Sequence, residues 1–241
     1  MKIRQQDIPY LKGSSFTNGL KFPVAQTETT MSYRLSTLRD MAKDKRVIHV
    51  GCVDHLELIQ LKLKSGVWLH KLIDDVSAEC LGIDNNREGI EYLRKELNYE
   101  NVFYADLLNE PLPQITSAQW DLMILGEILE HVDNPVAFLT SLHQKYSAYV
   151  KGIVLTVPNA FSYINFLKAF RHKEHINTDH RYWFSPYTLC KIMTIAGMEP
   201  LEIHFAQSYP MASGKITTRI VQPVLTRYPL FRDTLIVTGR L

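Results

Sequence analysis

Short runs of β-branched and apolar residues recur along this chain, and most are followed by a segment with helical spacing. The first run, Val47–Val50, ends at Gly51, and the second, Glu79–Asp84, ends at Asn85. Strands that alternate with helices form βαβ units, whose parallel strands are buried on both faces and read as continuous apolar runs. The sequence therefore predicts an α/β protein with a Rossmann-like, seven-stranded, mostly parallel sheet, an antiparallel edge strand and helices on both faces.

The predicted elements cover most of the chain. The last two strands are separated only by an amphipathic segment over Ile216–Thr226, which favours an antiparallel hairpin at the sheet edge. The predicted strands are Val47–Val50, Glu79–Asp84, Asn101–Ala105, Trp120–Leu125, Gly152–Val157, Leu201–Gln207 and Thr234–Thr238. The predicted helices are Thr29–Lys43, Leu56–Leu72, Arg87–Leu97, Pro135–Tyr146 and Pro186–Ala196.

Two segments do not follow the alternation. Residues 1 to about 30 carry glycine, serine and proline without clear periodicity and predict an irregular arm. Residues 160–186 are rich in aromatic residues and histidines and predict an inserted cap. We therefore expect an N-terminal arm with a cap helix over 1–44 and one domain over 45–241 that contains the insertion.

Composition excludes several classes of protein. The 241 residues include 27 Lys and Arg against 25 Asp and Glu, a net charge of +2, so no nucleic-acid partner is expected. Three unpatterned cysteines indicate neither a disulfide framework nor a metal motif. The polar N-terminus is not a secretory signal, and no apolar run reaches the roughly 20 residues of a membrane helix. We expect a cytoplasmic protein without stable membrane insertion, and the oligomeric state stays open.

Polar residues and glycines stand where the predicted strands end. In an open parallel sheet, ligands bind at the carboxyl ends of the strands. Asp84 could accept hydrogen bonds from a ribose diol, Asp106 could accept from an adenine amine, and Gly51 lets the backbone approach a ligand. Strand-ending Asp and Gly also form ordinary turns. Because neither glycine-rich phosphate-binding pattern follows the first strand, a ligand without a pyrophosphate is expected.

Several motifs follow one another in the order of these strands. They are Val47-Ile48-His49-Val50-Gly51-Cys52, Gly82-Ile83-Asp84, Ala105-Asp106, Trp120-Asp121-Leu122-Met123-Ile124, Glu127 to Pro135, Leu155 to Asn159, His180 to Ser185 and Ala196-Gly197-Met198. Together they resemble the class I S-adenosylmethionine-dependent methyltransferases, and within them the subgroup of ubiquinone-type and cell-surface saccharide O-methyltransferases. The resemblance covers about residues 45–240.

The resemblance implies S-adenosylmethionine as the cofactor and a set of residues that bind it. One departure concerns the first loop, where the family has an acidic residue and three alternating glycines. Here His49 replaces the acid and only Gly51 remains, which leaves open a non-catalytic binding protein with this fold. The implied cofactor-binding residues are His49, Gly51, Cys52, His55, Asp84, Asn85, Asp106, Leu107 and Gly126.

The acceptor side is expected just beyond the fourth strand. Glu127, Glu130 and His131 are spaced i, i+3 and i+4 and would share one face if the segment is helical. Carboxylates and an imidazole can act as a general base or as ligands of a divalent cation such as Mg²⁺. Relatives with this pattern add a histidine from the later insertion, for which His180 is the candidate. The alternative is a helix N-terminus with structural acids.

The apolar stretch 161–170 precedes the basic run 171–173 and allows two interpretations. It could be a cap packed on the domain, or a lid or interfacial helix that meets a lipid-linked substrate. The function expected from these observations is methylation of a hydroxyl group on a small molecule or saccharide, with His180, His131, Glu127 and Glu130 as catalytic residues. The alternatives are an RNA ribose methyltransferase and the non-catalytic binding protein.

Overall fold

The strands of this protein form one mixed sheet in the computed structural model, which describes residues 1–109, 111–210 and 216–241. They are β1 (Arg46–Val50), β2 (Glu79–Asp84), β3 (Val102–Tyr104), β4 (Trp120–Gly126), β5 (Val150–Pro158), β6 (Glu199–Ala206) and β7 (Thr234–Arg240). Their order in the sheet is β3-β2-β1-β4-β5-β7-β6. β1 pairs in parallel with β2 and β4, β2 in parallel with β3, and β6 antiparallel with β7. The predicted fold class is confirmed.

Helices connect the strands. The α-helices are α1 (Ile8–Lys12), α2 (Arg34–Ala42), α3 (Ile59–Lys64), α4 (Leu69–Asp74), α5 (Arg87–Leu97), α6 (Pro113–Thr116), α7 (Pro135–Tyr146), α8 (Tyr163–Ala169), α9 (Pro186–Ile195) and α10 (Ile216–Arg227). Short 3₁₀ turns cover Gln5–Asp7, Leu56–Leu58, Leu129–His131 and Pro229–Phe231. α5 and α7 have the predicted bounds, because Asn86 and Pro135 at their N-termini are strong start signals.

Two sequence predictions about helices were wrong. Residues 5–12 are helical rather than irregular, since Pro9 favours the first turn of α1 and Gly13, at φ 77°, ends it. The single helix predicted over Leu56–Leu72 is broken after α3. Gly66 adopts φ 66°, and the side chain of Trp68 is buried in the core instead of continuing the helical face.

The described chain divides into two compact units. Unit 1 comprises residues 1–34, 127–140 and 155–240, and unit 2 comprises residues 35–126, 141–154 and 241. Unit 2 contains β1 to β4, and unit 1 contains β6, β7 and the insertion. Among the described residues, no helix combines the length and apolar character required to cross a membrane.

α5 packs closely on the loop that follows β1. A Cβ atom added at Gly89 would lie 2.3 Å from Cγ1 and 2.9 Å from Cγ2 of Val53, which is itself fully buried. The Gly89 backbone N–H also donates to the Asn86 side chain at 2.9 Å, so the first turn of α5 is held in place. Glycine at this position therefore sets the distance between α5 and the β1 loop.

A buried histidine pair lies beside β2. The Nδ1 atoms of His49 and His70 are 3.2 Å apart, and the two rings stack at a centroid distance of 5.4 Å. The Trp68 ring meets the His70 ring edge-to-face, and the Tyr99 ring lies tilted against the His70 ring. A Cβ atom added at Gly82 would lie 2.8 Å from Cε1 of His70, so the imidazole fills the space above this glycine. Burial lowers the pKa of His70 to about 4.

The contact between Gly89 and Val53 leads to a first prediction. Gly89→Ala adds a methyl group against a stiff β-branched side chain, which should cost about 1–3 kcal/mol of unfolding free energy. This loss exceeds the roughly 1 kcal/mol that alanine contributes to a helix interior. Urea denaturation followed by circular dichroism measures the change. Adding Val53→Ala should recover part of the loss, and a Gly89→Ala protein as stable as wild type would refute this packing.

The buried His70 leads to a second prediction. A histidine with a folded-state pKa of about 4 and an unfolded value near 6.5 binds fewer protons when folded. Its stabilising contribution is therefore complete above pH 6.5 and is lost as the pH falls toward 4. When the pH is lowered from 7 to 5, the free energy of unfolding of the wild-type protein should fall by about 2 kcal/mol more than that of the His70→Leu variant. Urea denaturation at both pH values tests this, with the exposed His172→Gln as the control that should match wild type.

Candidate functional site

The loop after β1 is tied to the end of β2 within unit 2. Gly51 adopts φ 79°, a conformation that glycine tolerates without cost, and its N–H donates to the Ile83 carbonyl at 2.8 Å. Two residues later, the Val53 N–H donates to Oδ2 of Asp84 at 2.9 Å. The structure thus brings Gly51 and Asp84 together at the carboxyl ends of neighbouring strands, as the sequence predicts for a ligand site.

The Asp84 carboxylate organises this end of the sheet. Its Oδ1 accepts from the Asn86 N–H at 2.9 Å, while Oδ2 accepts from Val53. Burial raises the pKa of Asp84, and hydrogen bonds from backbone N–H groups oppose that rise. Each carboxylate oxygen keeps further acceptor capacity. Asp84 can therefore hold the loop and accept hydrogen bonds from a vicinal diol at the same time.

Asp106 follows β3 and is exposed. Its oxygens accept from the Leu108 N–H at 2.9 Å and from the Asn109 amide at 3.0 Å, so the carboxylate is oriented by its own turn. The preceding Ala105 donates its N–H to the Asp84 carbonyl at 3.0 Å. Leu107 is buried beneath the turn. Asp106 is thus linked through the backbone to the end of β2.

The remaining predicted cofactor residues differ in accessibility. His49 and Cys52 are buried, with exposed fractions of 2% and 0%, so their side chains do not line an open cleft. The His49 ring contacts His70 instead, and burial raises the pKa of the Cys52 thiol. His55 and Asn85 are exposed, and Gly126 is half-buried. The side chains of His49 and Cys52 are therefore enclosed in the core of unit 2.

The loop after β1 contains a second residue with a positive φ angle, Asp54, besides Gly51. Asp54 adopts φ 60°, which is uncommon for a residue with a side chain, although Asp tolerates it better than most. Its carboxylate accepts from the His55 N–H at 2.7 Å and forms an ion pair with Lys62. These contacts hold Asp54 in a left-handed conformation.

On the acceptor side, in unit 1, Glu127 departs from the predicted geometry. It adopts φ 58° and precedes the 3₁₀ turn Leu129–His131, so it does not share a helical face with Glu130 and His131. Its N–H donates to the carbonyl of Thr156 at 2.9 Å, and its carboxylate lies 3.5 Å from Nη1 of Arg34. The condition for a shared helical face is therefore not met, because strand-end hydrogen bonding and an ion pair hold Glu127 outside the turn.

Glu130, His131 and His180 form a cluster. One ligand atom from each lies within 4.8 Å of the others, and the two imidazole rings meet edge-to-face at a centroid distance of 4.7 Å. Glu130 is fully buried, whereas both histidines are half-buried. The structure therefore brings three of the four predicted acceptor-side residues together, including His180, which is 49 positions from its neighbour His131 in the chain.

Burial shifts the pKa values of Glu130 and His180 in opposite directions. It raises the pKa of Glu130 to about 8, and the negative charge of Glu127 adds to the rise while Arg34 opposes it. No other residue in the described part of the chain donates a hydrogen bond to either Glu130 oxygen. Burial and the neighbouring His131 lower the pKa of His180. A buried carboxyl group therefore lies beside the imidazole of His131 and beside that of His180, whose neutral form burial favours.

Arg181 holds the insertion against this loop, and sequence reasoning missed it. Its backbone N–H donates to the Glu130 carbonyl at 2.7 Å, and its guanidinium donates to the His131 carbonyl. The guanidinium also lies 2.6 Å from Oδ1 of Asp133. The polar run around His180 was the available signal, but the partners of Arg181 lie about 50 residues away.

Several solved methyltransferase structures have a fold similar to that of this chain. An S-adenosylmethionine-dependent methyltransferase from Aquifex aeolicus shares 13% identity at a TM-score of 0.53, covering 86% of this chain and 89% of its own. A magnesium protoporphyrin IX methyltransferase from Synechocystis PCC 6803 was solved with bound S-adenosylhomocysteine. It shares 14% sequence identity with this chain at a TM-score of 0.52, and the match covers 86% of this chain and 82% of that one. A small RNA methyltransferase shares 16% sequence identity at a TM-score of 0.54, and the match covers 92% of this chain and 27% of that one.

These structures establish the fold alone, because their identities are low. A search of curated proteins finds no significant match. A family model described as a methyltransferase domain matches residues 27–203, which is most of the chain. The seven-stranded sheet has Gly51 and Asp84 at the carboxyl ends of its first two strands, where open α/β sheets bind their ligands. The chain belongs to the methyltransferase-domain family.

Proposed function

We propose that this protein transfers a methyl group from S-adenosylmethionine to a hydroxyl group on a small molecule or saccharide. The observation that carries the proposal is the cluster of Glu130, His131 and His180, which supplies proton-accepting groups in a methyltransferase fold. Resemblance to the ubiquinone-type and saccharide O-methyltransferases supports a hydroxyl acceptor of this class.

Asp84, Gly51 and Asp106 are the residues proposed to hold the cofactor. The carboxylate of Asp84 accepts from the ribose hydroxyls, Asp106 accepts from the adenine amine, and Gly51 permits close approach of the backbone. Leu107 and the exposed Asn85 and His55 complete the proposed surface. When bound, S-adenosylmethionine supplies an electrophilic methyl group on a sulfonium centre.

The imidazoles of His180 and His131 are proposed to take the proton of the acceptor hydroxyl. Burial and the neighbouring His131 keep His180 neutral and able to accept a proton near pH 7. Glu130, with its raised pKa, is then protonated and can donate a hydrogen bond toward the acceptor oxygen or an imidazole. Glu127 and Arg34 contribute a charge pair at the start of the same loop.

The same cluster fits a divalent cation of a particular kind. Two imidazole nitrogens and one carboxylate suit Mn²⁺ or a similar transition metal better than Mg²⁺, which prefers oxygen ligands alone. The vacant acceptor sites of the buried Glu130 support a positively charged occupant. A cation there would lower the pKa of an acceptor hydroxyl and orient it.

A second candidate function is methylation of an RNA ribose hydroxyl. The Glu130, His131 and His180 cluster favours it, together with the similar fold of a small RNA methyltransferase. The net charge of +2 gives little attraction for a phosphate backbone. Salt-sensitive binding of a short single-stranded RNA in a gel-shift assay would favour this acceptor over a saccharide.

The proposed cofactor site leads to a third prediction. S-adenosylhomocysteine should bind the wild-type protein with micromolar affinity in calorimetric titration, and Asp84→Asn should weaken binding about tenfold or more, because a charged acceptor of ribose hydrogen bonds is lost. Asp75→Asn, at an exposed ion pair with Lys71, is the matched control and should bind as wild type does. Absence of binding to folded wild-type protein would overturn the proposal.

The cluster leads to a fourth prediction. After the protein has been freed of metal with a chelator, added Mn²⁺ should bind to it more tightly than added Mg²⁺. Glu130→Gln should weaken Mn²⁺ binding about tenfold, because this substitution removes the anionic ligand. Glu91→Gln, at an exposed helix pair with Lys95, is the control. If neither metal binds, the imidazoles act as bases without a cation, and His180→Ala should then reduce the rate of methyl transfer with S-adenosylhomocysteine binding unchanged.

A further inference from the structure

The insertion contains a pocket that the proposed chemistry does not use. Its volume is about 400 Å³, and it lies entirely within unit 1. Helix α8 and the segment that follows it provide most of the lining, with one aromatic residue from the end of the insertion. The polar and aromatic lining residues are Asn165, Lys168, Lys173, Glu174, His175 and Trp183.

The polar groups of this pocket suit an anion. Lys168 and Lys173 are two positively charged residues of its lining, whereas the Asn165 amide already donates to the carbonyls of Asn159 and Ala160 at 3.4 and 3.5 Å. The one carboxylate, Glu174, accepts from Nε1 of Trp183 at 3.0 Å, which occupies one of its oxygens and fixes the indole ring. The two lysines therefore outweigh the single carboxylate of Glu174, and the net charge of these three lining residues is positive. Lysine ammonium groups are common ligands of phosphate groups.

Helix α8 presents a second, apolar face beside the pocket. Asn165, Lys168 and Ala169 line the pocket at i, i+3 and i+4, while the intervening Phe166 and Leu167 are 59% and 50% exposed. Phe170, one turn after Phe166, is 71% exposed, and the two rings meet edge-to-face at 4.8 Å. Large apolar residues clustered in solvent in this way mark an interaction surface.

The charges around the apolar face indicate what covers it. Arg171 and His172 follow Phe170 directly and are exposed, and Lys173 returns to the pocket. Aromatic residues next to lysine and arginine fit an anionic amphiphile, because the rings enter the hydrocarbon while the cations meet the head group. A purely apolar partner would leave these cations without counter-charge.

We propose that the pocket binds the phosphate group of a lipid-linked methyl acceptor and that Phe166, Leu167 and Phe170 bind its hydrocarbon. This inference rests on the proposed function and names the acceptor class for it. The phosphate lies between Lys168 and Lys173, and the ring of Trp183 packs against the group that the phosphate carries. The segment that forms this site also carries His180, so acceptor binding and proton acceptance belong to one stretch of chain.

Fluorescence of Trp183 tests the phosphate part. Trp68 and Trp120 are buried in unit 2, with exposed fractions of 1% and 2%, so a response to a ligand in the pocket should come from Trp183 and vanish in Trp183→Phe. Glycerol 3-phosphate should change this emission, whereas glycerol should not. Lys168→Gln and Lys173→Gln should each weaken the binding about tenfold, and Lys151→Gln, at an exposed ion pair with Asp121, should not.

Sedimentation with vesicles tests the lipid part. Phosphatidylcholine vesicles that contain phosphatidic acid should bind the protein at least about tenfold more tightly than glycerol 3-phosphate does, and pure phosphatidylcholine should not bind. Phe166→Ser combined with Phe170→Ser should abolish vesicle binding and leave the glycerol 3-phosphate response unchanged. Ile195→Ser, at a residue 55% exposed elsewhere in unit 1, is the matched control.

Each result supports or overturns the inference. Equal affinity for glycerol 3-phosphate and for vesicles would overturn the lipid link and identify a phosphate ligand free in solution. No Trp183 response, or lysine variants that behave as wild type, would overturn the phosphate site. Titration of the same samples with S-adenosylhomocysteine separates this from failure of the proposed function, because that titration tests Asp84 in unit 2 whereas the pocket lies in unit 1.

Discussion

The parallel pairing of β1 with β2 on one side and with β4 on the other determines where the site residues lie. The register places Val50 opposite Ile83 and Leu125, so the three strands end level with one another. Gly51, Asp84 and Gly126 are the residues at those ends. A change of one residue in this register would move every side chain to the opposite face and separate these groups.

The acceptor-side loop depends on contacts of a different kind. Glu127 keeps its positive φ because Thr156 accepts its N–H and Arg34 pairs with its carboxylate. Arg181 then bonds to two carbonyls of the following turn and to Asp133, which places His180 against His131. A strained backbone and a buried carboxyl group are costly, and they persist only because surrounding hydrogen bonds and ion pairs hold them.

Much of the fold was predictable because its signals are local. Apolar runs mark the strands, and Asn86 and Pro135 mark the starts of α5 and α7. The prediction failed for the helix over 56–72, where the interior favours the buried Trp68 over a continuous helix. It also failed for Glu127, since the spacing i, i+3, i+4 implies a shared face only in an unbroken α-helix.

The sequence by itself determined the order of strands and helices, the family, and the strand-end positions of Gly51 and Asp84, because periodicity and turn residues act over a few neighbouring positions. Only the tertiary structure decided that the His49 side chain contacts His70, that no other described residue donates to the Glu130 oxygens, and that one face of α8 lines a cationic pocket while the other is exposed. Those properties depend on burial and on partners distant in the chain, and local patterns carry no information about either.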